Sequence, residues 1–461
     1  MVRTHMMFKD LAISNPRELI FGQSKKPVCS PRGLVIGAGK VYPELNFTLP
    51  PMTLSEATFG EVREQYRSIV TDALQRALDL HMEGVVLEFE TLLEMTLHPV
   101  WGVELVKIMN EVCEEYYHKY NLKSELRLTP NDTRDFERPV KMRSSKYLES
   151  MFQLFEEGAK AGGNFLSIES TGGKEVCDEA LVNCDTKGVV FALAVLGVRD
   201  MQFLWRHIVD IARRTHTIPG GDTACGFGNT AMVLAEKKYI PKVFAAMVRI
   251  VSVVRTLVAI EEGAQGPDKD CGYEGPFLKT ITGLPISMEG KTAACAHFSP
   301  VGNVAAAAAD LWSNESVANT KLLSGMAPTA YLEQLEYDTR LMNTALKLGS
   351  AGELQRLFVE SDVHLDPQAY ILAPEMVISI SKEIVQGNSY LEGAVRGAQK
   401  GMTMIAEAYR SGILQLEERE VDWIDRIQEE LADIPLEESK FVEAMEPLLD
   451  REQVLLEEYG L

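Results

Sequence analysis

The sequence predicts an α/β protein: a (β/α)8 TIM barrel with an N-terminal extension and additional C-terminal helices. Three observations lead there. Short apolar runs that end in polar residues alternate with helical stretches, which calls for a parallel sheet because each crossover needs a helix. Seven or eight such units fall within residues 81–345, and a barrel of eight units takes about 250 residues. The glycine fingerprint that marks the competing open, doubly wound sheet is missing after the first strand. The expected division is an N-terminal extension over 1–80 packed on the barrel, the barrel over 81–345, and a helical C-terminal region over 346–461.

The units follow in order. GVVLEFE (84–90) reads as a strand, and PVWGVELVKIMNEVCEEYYHKY (99–120) as its helix. SELRLTPND (124–132) precedes a helix around YLESMFQLFEEGAKAG (147–162). NFLSIES (164–170) precedes CDEALVN, and VVFALAVLG (189–197) precedes FLWRHIVDIARRT. TIPGGDTAC (217–225) is followed by a long helix from about Thr230. RTLVAIEEG (255–263) is read as a sixth strand, LPISMEG (284–290) as the seventh, with VGNVAAAAADLW as its helix. GMAPTAYL (325–332) is the eighth, followed by EYDTRLMNTALKLG.

Charge narrows the partners. The 46 Lys and Arg stand against 67 Asp and Glu, a net charge of −21. That balance argues against nucleic acid and anionic lipid, which both need a basic face. Residues 416–461 carry 16 acidic and 4 basic residues, more than half of the net charge. They also show helical apolar spacing at Val421, Ile424, Ile427 and Leu431, so they read as helices with solvated acidic faces. The longest apolar run stops at Arg199, and Val243–Ile260 is broken by Arg249 and Arg255, so no membrane segment is expected. Seven cysteines, an odd number without a tight framework, point to a reducing, cytoplasmic setting.

In a barrel, chemistry sits where strands end. The strand ends here carry Glu169, then Asp222 with Cys225, then Glu261 and Glu262 with Asp270 and Cys271 in their loop, then Glu289 and Lys291 with Cys295 and His297 beyond. Most cysteines are buried, inert small hydrophobes; Cys113, Cys29 and Cys184 read that way. Cys225 and Cys271 do not, because each lies among Gly, Asp and Thr in a loop. Glu169 after an apolar strand needs a partner, which a salt bridge would also provide. A zinc site explains the set: zinc takes thiolate, imidazole and carboxylate, and a catalytic site leaves one position open. Cys295 with His297 is a rival ligand pair. Two other readings are a phosphate cradle in GGDTACGFGNT and a nucleophilic triad of Cys225, His297 and Asp222.

At these same residues the sequence resembles a known family. SIESTGGKEV, GGDTACGFGNTAM, VAIEEGAQGPDKDCGYEG, ITGLPISMEGKTAACAH, DLWSNES and EYDTRLMNTAL are similar to the zinc-binding subunit of methanol:corrinoid methyltransferase. The likeness runs from about residue 21 to the C-terminal helices. It implies a (β/α)8 barrel and one Zn2+ per chain held by Glu169, Cys225 and Cys271, and it excludes Cys295 as a ligand. The implied reaction moves a methyl group from methanol to Co(I) of a corrinoid carried by a partner protein and not resident in this chain. Zinc would act as Lewis acid toward the alcohol, because hydroxide leaves badly. Asp222, Asp270, Glu289, Lys291 and His297 are candidates to tune the metal. The resemblance further implies a homodimer, or a heterotetramer with the corrinoid protein, and the chemistry calls for an apolar docking surface around the rim. The loop after Cys225, GFGN, departs from the family pattern, where substrate range could differ. The competing expectations are a related methyl donor, methylamine or an aryl methyl ether, and a non-catalytic barrel subunit that binds the corrinoid protein.

Overall fold

Period-two alternation builds the wall of the barrel. In β1 (Tyr42–Thr48), β2 (Gly84–Glu90) and β3 (Lys123–Thr129), Leu45, Phe47, Leu87, Phe89, Leu126 and Leu128 join the apolar core, while Glu44, Asn46, Glu88 and Arg127 alternate with them. The computed structural model describes residues 3–49, 52, 54–269, 271–297, 299–318, 320–322 and 325–461, without the side chain of residue 295. β4 (Phe165–Ile168), β5 (Ile218–Asp222), β6 (Ser287–Glu289) and β7 (Leu311–Val317) complete an all-parallel sheet of seven strands in the order β5-β4-β3-β2-β1-β7-β6.

The gap between β5 and β6 is filled by residues 265–268. Gln265 N donates to Pro219 O at 2.7 Å and Gly266 N to Gly220 O at 2.8 Å. On the other side Ser287 N donates to the Asp268 carboxylate at 3.1 Å. This segment therefore stands in the place of the eighth strand, and the expected barrel holds.

Its floor is apolar. Tyr42, Val86, Phe165 and Leu311 pack with Val28, Leu34 and Ile36 from an N-terminal hairpin of strands Gln23–Cys29 and Val35–Ala38. Above this plug the lumen turns polar. Arg127 pairs with Glu44 and donates to Ser167 Oγ at 2.8 Å and Pro267 O at 2.9 Å. Those partners lie on different strands around the circle, so the pair ties the wall together from inside.

Helices α1 (Phe59–Asp79), α2 (Pro99–Tyr120), α3 (Lys146–Lys160), α4 (Thr186–Thr215) and α5 (Lys242–Glu262) surround the wall. Several expectations need correction. β1 and α1 lie inside the stretch assigned to an extension, so the barrel begins at Tyr42, not near residue 81. VVFALAVLG is the first half of α4, with a π-helical turn over Ala192–Gly197. RTLVAIEEG is the end of α5. The last strand of the barrel is not GMAPTAYL but β7, which begins with the LW expected to close a helix; residues from Ala327 form α6 (Ala327–Leu348). Cys29 is exposed on the hairpin rather than buried.

The two misread runs have one cause. A helix apolar on all sides is a core helix, and periodicity cannot tell it from a buried strand. α4 and α5 are also long and apolar enough to cross a membrane by length and composition, but 89% and 94% of their apolar windows are buried inside the fold. α5 is covered outside by α7 (Tyr390–Arg410), where Gly397 and Gly401 let Ile250 of α5 lie against the α7 backbone. A Cβ at Gly401 would sit 2.2 Å from Ile250 Cδ1. That close seat fixes α5, and α5 carries two buried arginines toward the rim.

Candidate metal centre

Three loops at the C-terminal rim bring three donors together. Glu169 directly follows β4, Cys225 lies three residues beyond β5, and Cys271 follows the segment that replaces the eighth strand. Their ligand atoms all lie within 4.8 Å of one another. The Cys271 thiol donates to Glu169 Oε1 at 3.0 Å. Cys271 is buried, and Glu169 and Cys225 are half-buried.

The electrostatics of this group are those of a cation site. The contact with Cys271 pulls the Cys225 thiol down, but removal from water and the charges of Glu169 and Glu289 carry it up to about 12. Burial, Cys225 and Glu169 raise the Cys271 thiol well above the ordinary thiol range. With no cation both sulfurs stay protonated at neutral pH. A metal ion inverts that preference by deprotonating a coordinating thiol outright.

Each donor is held from behind. Arg255 of α5 donates to Ser170 O at 2.6 Å and to Ser170 Oγ at 2.7 Å, fixing the residue after Glu169. Arg249, nearly two turns earlier, donates to Gly272 O at 2.8 Å, fixing the residue after Cys271. Gly272 N in turn donates to Thr223 Oγ1 at 2.8 Å, and Ala224 N to Glu274 Oε1 at 2.6 Å. The loops of Cys225 and Cys271 are thus cross-linked by hydrogen bonds. The Glu169 loop turns at Gly173 (φ +85), where a Cβ would stand 2.4 Å from Ala192 O in the π-turn of α4. Tyr459, in the C-terminal region, caps this loop: its Oη accepts from Gly173 N at 2.9 Å and donates to Glu175 Oε1 at 2.6 Å.

The other expected residues fall as follows. Asp222 is fully buried behind the site, not in it. It accepts from Ser170 Oγ at 2.7 Å, Trp205 Nε1 at 2.9 Å and Thr223 N at 2.8 Å. Burial raises its carboxyl to about 6 against the pull of Arg255. Glu289 and His297 meet each other, Oε1 to Nε2 at 3.4 Å. Asn229 links them to the sulfur, with Nδ2 at 3.2 Å from His297 Nε2 and 3.8 Å from Cys225 Sγ. Lys291 does not join; its Nζ pairs with Asp338 of α6 at 3.0 Å. Asp270 and the Cys295 side chain lie outside the described residues. Glu261 and Glu262 sit at the end of α5, where both bind Arg3.

Sequence reading missed the lumen charges. Lys269 Nζ lies 2.6 Å from Glu88 Oε1, 3.3 Å from Glu169 Oε1 and 3.6 Å from Glu90 Oε2. Burial works against the ammonium, but those three carboxylates hold it well above the ordinary lysine range. Burial and the neighbouring Glu169, Glu88 and Glu315 outweigh Lys269 at Glu90 and raise it to about 8. The signal was there in LEFE, where two glutamates two residues apart share one face of a strand. Arg249 and Arg255, read only as interruptions of an apolar run, are the supports of the rim.

A closed parallel barrel with an S,S,O donor set on its C-terminal face belongs to the class of barrels that do chemistry at the rim of the βα loops. Comparison with known proteins narrows this. The chain belongs to the methanol-cobalamin methyltransferase B subunit family, whose model matches residues 5–460. It is 36% identical over 440 residues to a methanol–corrinoid protein co-methyltransferase of Methanosarcina barkeri, covering 95% of each chain. It also superimposes on a chain of the crystal structure of the methanol:cobalamin methyltransferase complex MtaBC from the same species. That match has a TM-score of 0.94 and 35% identity, over 98% of this chain and 99% of that one.

Proposed function

We propose that this chain transfers the methyl group of methanol to Co(I) of a corrinoid held by a partner protein, with zinc seated on Glu169, Cys225 and Cys271. The observation that carries the reading is the meeting of these three donors on the rim, within a chain of this family. The donor chemistry fits zinc, which prefers thiolate sulfur at about 2.3 Å and carboxylate oxygen at about 2.0–2.2 Å. The 4.8 Å envelope closes to those distances by small side-chain movements. When bound, zinc supplies Lewis acidity toward the alcohol oxygen.

The residues of the chain have separate tasks. Arg249 and Arg255 hold the ligand loops in register. Asn229 sets its amide between the Cys225 sulfur and the His297 ring. Lys269 offsets the surplus of lumen carboxylates and bridges Glu169 Oε1 to Glu88 of β2. Phe136 beyond β3, Val317 at the end of β7 and Leu322 just past it are exposed at the C-terminal side of the barrel, which suits an apolar partner surface over the rim.

The test is methyl-cobalt formation, read by absorbance, with the full chain, cob(I)alamin and each of three donors: methanol, methylamine and an aryl methyl ether. Methanol-dependent formation that a chelator abolishes and zinc restores is the expected result. Turnover of another donor in preference to methanol, or turnover indifferent to the chelator, would overturn the reading.

A further inference from the structure

Departure of hydroxide needs a proton, and the rim holds one group built to supply it. We propose that His297 is the proton donor to the oxygen that leaves methanol. This rests on the function proposed above.

Three observations carry it. First, place. Asn229 Nδ2 contacts both Cys225 Sγ (3.8 Å) and His297 Nε2 (3.2 Å), so the imidazole lies no farther than about 7 Å from a sulfur of the donor set. A molecule the size of methanol beside that sulfur lies within reach of the ring. Second, orientation. Glu289, at the end of β6, meets Nε2 at 3.4 Å and is itself buried. A carboxylate on a ring nitrogen holds the imidazole in one orientation and supports its protonated form, the arrangement that orients histidine bases and acids elsewhere. Third, charge. Glu289 bonds the ring from β6 and Glu315 faces it from β7; these negative groups favour the imidazolium over the neutral ring, against the effect of burial. The Asn229 amide oxygen is buried without a partner, and rotation of the amide would offer it to Nε2–H.

The step balances. The electron pair of Co(I) forms the Co–C bond, and cobalt is oxidised to Co(III). The C–O pair leaves with oxygen, a proton of the imidazolium joins it, and water departs from neutral His297. Solvent reprotonates the ring.

The experiment compares the wild type with His297→Gln, His297→Gly and Glu289→Gln, using methanol and cob(I)alamin, with zinc per chain measured on each. His297→Gln should lose about 100-fold or more in kcat, the scale of general acid catalysis, keep its zinc, and lose the alkaline fall of the wild-type pH profile. Glu289→Gln should shift that fall to lower pH. Imidazole added to His297→Gly should restore rate in proportion to its protonated fraction, which a merely structural role would not do. A His297→Gln protein within threefold of wild type with the same alkaline limb overturns the proposal. So does rate loss that follows zinc loss. A wild type that forms no methyl-cobalt from methanol removes the proposed function, and this inference with it.

Discussion

Replacing Lys269 with Met tests how the charged lumen is balanced. The ammonium is buried and stands within 4 Å of three carboxylates, at 2.6 Å from Glu88, 3.3 Å from Glu169 and 3.6 Å from Glu90. Removing one partner of a buried ion pair costs about 3–5 kcal/mol, because the other charge is stranded. Glu88 bears most of this. Burial pushes its carboxyl up, and in the intact protein Lys269 and Arg127 pull it below the usual value. Its stabilising contribution is therefore present above the unfolded value of 4.5 and fades as pH falls through the folded one. Without Lys269 the sign reverses: the native state takes up protons, so the variant should regain stability relative to wild type as pH is lowered. Urea unfolding followed by circular dichroism, with chelator present throughout, measures the difference free of metal. We expect Lys269→Met to lose about 3–5 kcal/mol near neutral pH, and Lys269→Met/Glu88→Gln to recover at least half of it. In the double variant Thr129 Oγ1, now 2.7 Å from Glu88 Oε1, still meets an acceptor. A single variant within about 1 kcal/mol of wild type, or a double variant no more stable than the single, would refute the reasoning.

The remaining predictions concern the supports of the site. Arg255→Met should weaken zinc affinity about 10–100-fold, the usual scale for a partner one bond behind a ligand, as measured by competition with a chromogenic chelator; it frees the residue after Glu169 and leaves Asp222 without its cation. Cys225→Ser and Cys271→Ser should each lose most bound metal by elemental analysis while keeping the wild-type circular dichroism spectrum. Glu175 is raised to about 7 by burial against its bond from Tyr459, so its native carboxyl binds a proton that the unfolded chain has released. Stability should thus fall as pH rises from about 4.5 to about 7, by on the order of 3 kcal/mol at most, and Glu175→Gln should flatten that slope in urea unfolding.

Much of the centre is legible in the sequence, because Glu169, Cys225 and Cys271 sit where neither an apolar core nor a helix face explains them. The strands β2 to β6 are legible for a similar reason: each is a short run with a polar end. β1 and β7 are not. Their lumen-facing Glu44, Asn46 and Glu315, and Pro43 in β1, dilute the apolar signal that marks a buried parallel strand. VVFALAVLG and RTLVAIEEG mislead in the opposite direction, being so apolar that a core helix reads as a strand. Lys269 lies inside a motif that drew notice for Asp270 and Cys271. Its meaning depends on Glu88 and Glu90, 181 and 179 residues away, which only closure of the barrel brings to it.

The central claim is that two sulfurs and one carboxylate from separate loops share a single ion. X-ray absorption at the zinc edge on the full, metal-loaded chain measures this directly. Two sulfur scatterers at about 2.3 Å with a lighter shell at about 2.0–2.2 Å is the predicted result, falling to one sulfur in Cys271→Ser. A shell of nitrogen and oxygen alone, or a chain that takes up no zinc, would contradict it.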